Sequence, residues 1–128
     1  MCDDPIYMNS EEFVGAVKTV CSDGEAESII QSFRNPPGRR PSKRLMRLSK
    51  WFQQLSVDDQ EMLREALTDA AGRAVFGIMC VLDGVRAIEN GPEKGSLELY
   101  YVKGDQRVLL NDPQEVLHDL FQGMRSFS

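Results

Sequence analysis

The chain has 128 residues, of which 41% are apolar and 27% are charged, close to the averages of soluble globular proteins. This length predicts a single domain over residues 1–128, and the apolar content excludes a wholly disordered chain. The acidic start lacks a basic region followed by an apolar run, and the longest apolar run, 74–82, is too short to cross a bilayer. We therefore expect a cytoplasmic protein that is not bound to a membrane.

The cysteines support that compartment. Cys2, Cys21 and Cys80 are an odd number and include no closely spaced pair. This pattern is typical of free thiols in a reducing compartment, whereas small secreted domains use even sets of cysteines as disulfide frameworks.

The net charge of −5 conceals a strong segregation. Residues 34–50, called the basic segment below, hold seven of the 15 basic residues and no acid. The rest of the chain therefore carries eight bases against 20 acids, a net charge of −12. Such segregation bears on partners and electrostatics rather than on the fold.

Three helices are predicted in the first half. Asn9 with Glu12 forms a capping pair for the first, and the second follows Ser22 or Asp23 and ends at the prolines of 35–38. Residues 35–41 are predicted to be a mobile basic loop. Ser42 then caps a third helix. Trp51 lies beside the apolar stripe of this helix and is expected in the core. The stripe consists of apolar residues at helical spacing: Leu45, Leu48, Phe52 and Leu55.

A fourth helix is expected from the capping sequence at Ser56 to about Leu82. Its buried face is predicted to include Ala74, Ile78 and Val81. Because periodicity cannot distinguish a buried helix end from a short buried strand, a strand over 75–82 is the alternative.

After the turn at Asp83-Gly84 the apolar period changes to two, which predicts a short antiparallel meander near residues 85–110. Its segments are Val85 to Ile88, Leu97 to Lys103 and, after Gly104-Asp105, Gln106 to Leu110. Asn111-Asp112-Pro113 is expected to begin the last helix, and residues 1–8 and 125–128 are expected to fray. The fold class is α+β, mostly helical, with about five helices packed on two or three strands.

The basic segment supplies the main candidate site. Arginine forks bind phosphate and carboxylate alike, so an acidic protein or a nucleic acid is a candidate partner. The alternative is a solvated surface that balances the acidic remainder. The residues proposed to contact a partner are Arg39, Arg40, Lys43, Arg44, Arg47 and, as aromatic residues on a small sheet, Tyr100 and Tyr101.

A catalytic site is not predicted. His118, Asp83 and Cys80 carry suitable chemistry, but each has a simpler explanation: a solvent-facing histidine, a turn aspartate and a buried inert thiol. The sequence contains no phosphate loop, zinc-ligand spacing or nucleophile motif. We therefore expect no cofactor and no metal.

The layout of Trp51, Leu82-Asp83-Gly84-Val85, Leu109-Leu110-Asn111 and Leu117 to Phe121 resembles that of small bacterial proteins of uncharacterised families. Some of these are similar in size and acidity to immunity proteins, which neutralise a toxin domain. The resemblance implies a role and no site residues. The prediction is a non-catalytic cytoplasmic protein that engages a protein partner, and the resemblance implies an immunity-like role for it. Nucleic-acid association is the alternative, and homodimer formation is left open.

Overall fold

A computed structural model describes residues 8–125. In chain order the elements are α1 Ser10–Val17, a π-helical segment Lys18–Asp23, α2 Gly24–Arg34, α3 Lys43–Gln53, α4 Val57–Leu82, β1 Tyr100–Lys103, β2 Gln106–Leu109 and α5 Leu117–Met124. The mostly helical α+β class is confirmed. The π-helical segment joins α1 and α2 into one continuous helical stretch, so the described chain has four helical bodies rather than the predicted five, and two strands.

The contacts divide the chain into two units. The central unit is Thr19–Arg73, and the terminal unit combines the residues up to Lys18 with those from Ala74 onward. Each unit has its own apolar core. Helix α4 supplies residues to both, with 57–73 in the central unit and 74–82 in the terminal unit.

The core of the central unit forms where α2, α3 and α4 meet. Ile30, Phe33 and Phe52 are buried there, and the two phenylalanine rings lie 5.7 Å apart at an interplanar angle of 50°, a tilted geometry that aromatic pairs favour. The stripe predicted for α3 packs against them, and α4 adds its own leucines: Leu45, Leu48 and Leu55, with Leu63 and Leu67.

The core of the terminal unit joins α1, the end of α4 and α5. Val14, Leu117 and Phe121 are fully buried there, together with Val75 and Met79 of α4. Residues 75–82 are therefore helical, and the strand alternative is wrong. The predicted face is also wrong in part, because Ile78 is 51% exposed while Val75 and Met79 are inside.

Helix α4 ends at a glycine. Gly84 has φ 78°, a left-handed conformation that costs other residues more than glycine, and the amide of Val85 returns to the carbonyl of Cys80 at 3.0 Å. The chain then leaves the helix, and every residue from 84 to 98 is exposed. The predicted strand at Val85–Ile88 is absent, because no neighbouring strand pairs with these residues.

The two strands form a hairpin around Gly104, whose φ of 60° confirms the predicted tight turn. Tyr100 pairs with Leu109, and Lys103 pairs with Gln106. The amide of Leu110 extends the pairing to the carbonyl of Leu99 at 2.8 Å.

Asn111 closes the base of the exposed segment 84–98. Its Nδ2 donates to the carbonyls of Leu82 at 2.7 Å and Leu97 at 2.8 Å, and its Oδ1 accepts from the amide of Leu99 at 2.8 Å. The side chain is buried, at 8% exposure, and a buried amide with satisfied partners fixes the backbone around it. Asn111 therefore does not begin the last helix as predicted.

Helix α5 begins at Leu117 because its cap comes from a distant residue. Asp112 only closes a local turn, accepting from the amide of Gln114 at 2.9 Å. The carboxylate of Asp83 accepts the amides of Leu117 at 3.2 Å and His118 at 2.8 Å. These are two of the donors that a helix start leaves without an internal partner.

No helix of the described residues is long and apolar enough to span a bilayer. The predicted fraying falls almost wholly on residues outside the described range.

Replacing Asn111 tests the closure of segment 84–98. Asn111→Ala leaves the carbonyls of Leu82 and Leu97 and the amide of Leu99 without their side-chain partner, so we expect a loss of about 1–3 kcal/mol in the free energy of unfolding. The matched control is the exposed Asn90→Ala, expected to stay within about 0.5 kcal/mol. Urea denaturation measures both, and equal midpoints for the two variants would contradict this account.

Candidate functional site

Helix α3 is held against α2 by the last turn of α2. A helix ends with carbonyls that have no amide partner, and Pro36 and Pro37, which follow this turn, have no amide hydrogen to donate. The hydroxyl of Ser49 and Nε2 of Gln53, at 3.2 Å, instead donate to the carbonyl of Phe33. Nε2 of Gln53 also lies 3.0 Å from Oγ of Ser49.

Both ends of α3 are fixed as well. Oγ of Ser42 accepts the amide of Leu45 at 3.1 Å, which confirms the predicted cap. At the other end, Nε2 of Gln60 lies 3.3 Å from the carbonyls of Phe52 and Leu55. The helix is thus a rigid support for the side chains on its outer face.

The outer face of α3 carries a line of positive charge. With consecutive residues ~100° apart around a helix, Lys43, Arg47 and Lys50 lie along one stripe opposite buried Phe52. Arg44 lies beside this stripe, and Arg39 and Arg40 precede the helix. All six are exposed and are called the basic surface: Arg39, Arg40, Lys43, Arg44, Arg47 and Lys50.

No acid of the described residues neutralises the basic surface. Within residues 8–125, none of its six side chains has a carboxylate within ion-pair distance. Acids of the central unit pair with other bases, as Glu27 does with Arg64 and Asp69 with Arg73 at 2.8 Å. Hydrogen bonds from Gln31 and Arg64 lower the pKa of Glu27.

Arg34, also in the basic segment, is placed differently. Its guanidinium lies 5.9 Å from the ring centre of Phe52, within the range of a cation–π contact. It therefore supports the core of the central unit, while the other six bases face outward.

The prediction that Trp51 lies in the core is wrong. It is 46% exposed, and Met46 on the other side of the stripe is 49% exposed. A helical wheel of α3 indicates this exposure, since Trp51 lies ~100° from buried Phe52 and only ~40° from Arg47. The basic stripe thus has an aromatic border and a thioether border.

The two tyrosines belong to the terminal unit and are half-buried. The hydroxyl of Tyr100 donates to Glu98 at 2.7 Å, and the guanidinium of Arg107 lies 4.0 Å from its ring centre. The bond to Glu98, with a smaller effect of burial, raises the pKa of Tyr100. Tyr100 is therefore already engaged within the hairpin, and the structure places neither tyrosine in the unit that carries the basic surface.

A second arrangement with chemical potential lies in the terminal unit. Nδ1 of His118 is 2.6 Å from Oδ2 of Asp83, whose side chain is only 6% exposed. The ring of Phe76 meets the imidazole edge to face at 5.8 Å. An aspartate that orients a histidine is one part of a nucleophilic site.

The nucleophile of such a site is missing from the described residues. Nε2 of His118 has Asp119 at 3.5 Å, and no hydroxyl or thiol in residues 8–125 hydrogen-bonds to the ring. Burial raises the pKa of Cys80, which disfavours its reactive thiolate. The Asp83–His118 pair is thus explained by its bonds to the start of α5.

The described residues hold no group of three His, Cys, Asp or Glu side chains that could bind a metal ion. Compared with known proteins, the chain matches no family model, and no curated protein or solved structure matches it significantly. The geometry of the basic surface therefore has to carry the functional interpretation.

Alkylation tests whether Cys80 is an inert thiol. In a Cys2→Ser variant at neutral pH, we expect iodoacetamide to modify exposed Cys21 while Cys80 stays unmodified until the protein unfolds, because burial limits both access and ionisation. Peptide mass spectrometry with and without denaturant measures this. Modification of native Cys80 as fast as Cys21 would restore it as a candidate nucleophile.

Proposed function

We propose that the protein is a non-catalytic binding module that docks an acidic partner protein on the basic surface of α3. The observation that carries this proposal is the set of six exposed cations with no acid of the described chain in ion-pair reach. Partner carboxylates satisfy guanidinium and ammonium groups with charge-assisted hydrogen bonds.

The N-terminal part of the basic surface is unfavourable for the stability of α3 itself. Lys43 and Arg44 lie in the first turn, which has no acid, although the helix dipole favours negative charge there. Lys43 and Arg47, four residues apart, repel each other at a cost of about 0.2–0.5 kcal/mol. Departures from local stability are typical of functional sites, and they support a role in binding over simple charge balance.

An acidic protein fits this surface better than a nucleic acid does. Trp and Met, which border the stripe, are enriched with Arg at protein interfaces, and Trp and Arg often contribute most of the binding energy. The remainder of the chain, at −12, repels a duplex with one charge per ~1.7 Å more than it repels a locally acidic protein. Nucleic-acid binding is the outcome that the experiment below must exclude.

We further propose a cytoplasmic location, supported by Cys21 and Cys80, which are free thiols. The immunity-like role rests on the resemblance alone and stays a prediction, as do homodimer formation and contacts through Tyr100 and Tyr101.

The decisive experiment compares two triple variants that remove the same charge. The test variant carries Arg44→Gln, Arg47→Gln and Lys50→Gln, and the control carries Arg73→Gln, Lys94→Gln and Lys103→Gln, all exposed in the native chain. We expect a nuclease-resistant protein to be captured from host lysate by the native chain and the control, and lost with the test variant. The test variant should unfold at no lower temperature than the control, since it relieves repulsion on α3.

Two results would contradict the proposal. One is equal capture of the protein by the test and control variants. The other is capture only of nuclease-sensitive material whose binding falls steeply with salt, which would favour the nucleic-acid alternative.

A further inference from the structure

We infer that the partner segment docked on the basic surface is an acidic amphipathic helix that packs along α3. This inference rests on the proposed function and adds the shape of the ligand to it. It follows from the spacing of the charges and from the nature of the borders.

The spacing of the stripe is helical and short. Lys43, Arg47 and Lys50 follow one another at four and three residues, so their Cα atoms span about 10 Å along the axis at ~1.5 Å per residue. Acids at four-and-three spacing on a partner helix repeat over the same distance. Three same-face residues of an extended strand span about 13 Å, so the third acid of a strand does not align with the third cation of the stripe.

The two borders of the stripe favour a ligand that carries apolar side chains beside its acids. Met46 and Trp51 are each about half exposed on opposite sides of the stripe. A ligand that is acidic all round would leave both in water or cover them with carboxylates. An amphipathic helix places aliphatic residues next to its acidic stripe and can contact both borders at once, a mode of recognition that many helix-binding surfaces use.

The support is already rigid. Ser49 and Gln53 fix α3 to the carbonyl of Phe33, and Ser42 and Gln60 hold its ends. Because the surface is formed before binding, little ordering of the protein opposes association. The ligand, in contrast, must fold, so its helix should form on binding.

The test uses the full chain and three synthetic peptides of identical composition. The first has Glu at four-and-three spacing flanked by Leu, and the second has the same residues permuted to destroy the stripe. The third keeps the stripe but has its central Ala exchanged in position with a terminal Pro, which breaks the helix. Trp51 is the only tryptophan of the chain, so its fluorescence reports occupancy of the surface directly.

We expect the striped peptide to shift the emission of Trp51 to shorter wavelength, to gain helical circular dichroism, and to bind at least about tenfold tighter than either relative, about 1.4 kcal/mol. A Lys43→Glu, Arg47→Glu, Lys50→Glu variant should lose this peptide and gain affinity for a version with Lys in place of Glu.

Each other outcome has a definite meaning. Equal binding of the three peptides would overturn the helical ligand and leave the proposed function standing. Binding of none of them overturns the inference, and if a single-stranded oligonucleotide then shifts Trp51, the proposed function falls with it.

Discussion

The carbonyl of Phe33 is the constraint on which the candidate site depends. It lies in the last turn of α2, where the following prolines leave it without a backbone partner, and Ser49 and Gln53 of α3 supply the missing donors. Meeting this requirement sets the rotation of α3 about its own axis. Once Ser49 and Phe52 face α2, the lysines and arginines of the same helix have to face solvent.

The distribution of charge in the central unit adds to this arrangement. Arg64 joins Glu27 and Glu61, and Arg73 joins Asp69, so part of the acidic charge is already matched away from α3. Within the described residues no acid pairs with the cations of the basic surface, so a binding partner need not displace one. Surface ion pairs are individually weak, so the apolar borders at Met46 and Trp51 are needed for affinity, while the charges provide steering and register.

Local patterns predicted much of the fold. Asn9 and Ser42 cap their helices, the prolines after Arg34 end α2, and Gly104 makes the hairpin turn, because each of these depends on residues close in sequence. The errors at the start of α5 and at Val85–Ile88 involve distant partners. Asp83 caps α5 from 34 residues away, and Asn111 binds Leu82 from 29 residues away, so neither the start of α5 nor the lack of a strand at Val85–Ile88 follows from a local pattern.

The same distinction applies to the candidate site. The basic residues and their helix are evident in the sequence, but their separation from the acids of residues 8–125 depends on where the tertiary fold places those acids. The exposure of Trp51 could have been found from a helical wheel, since of the neighbours Trp51 and Phe52 only Phe52 lies on the buried stripe.

Quenching of Trp51 fluorescence by ions of opposite charge tests directly whether Trp51 is exposed beside unneutralised cations. The experiment needs no partner, and the chain has one tryptophan. Because iodide is intrinsically the more efficient quencher of indole, each ion is compared with its quenching of free N-acetyltryptophanamide. If Trp51 is exposed within an unneutralised basic surface, its iodide-to-caesium quenching ratio should exceed that of the free compound, and added salt should lower the ratio by screening. Emission that neither ion quenches would place Trp51 in the core. A ratio equal to or below that of the free compound would show that the charges around Trp51 are neutralised, and the account of the basic surface would be wrong.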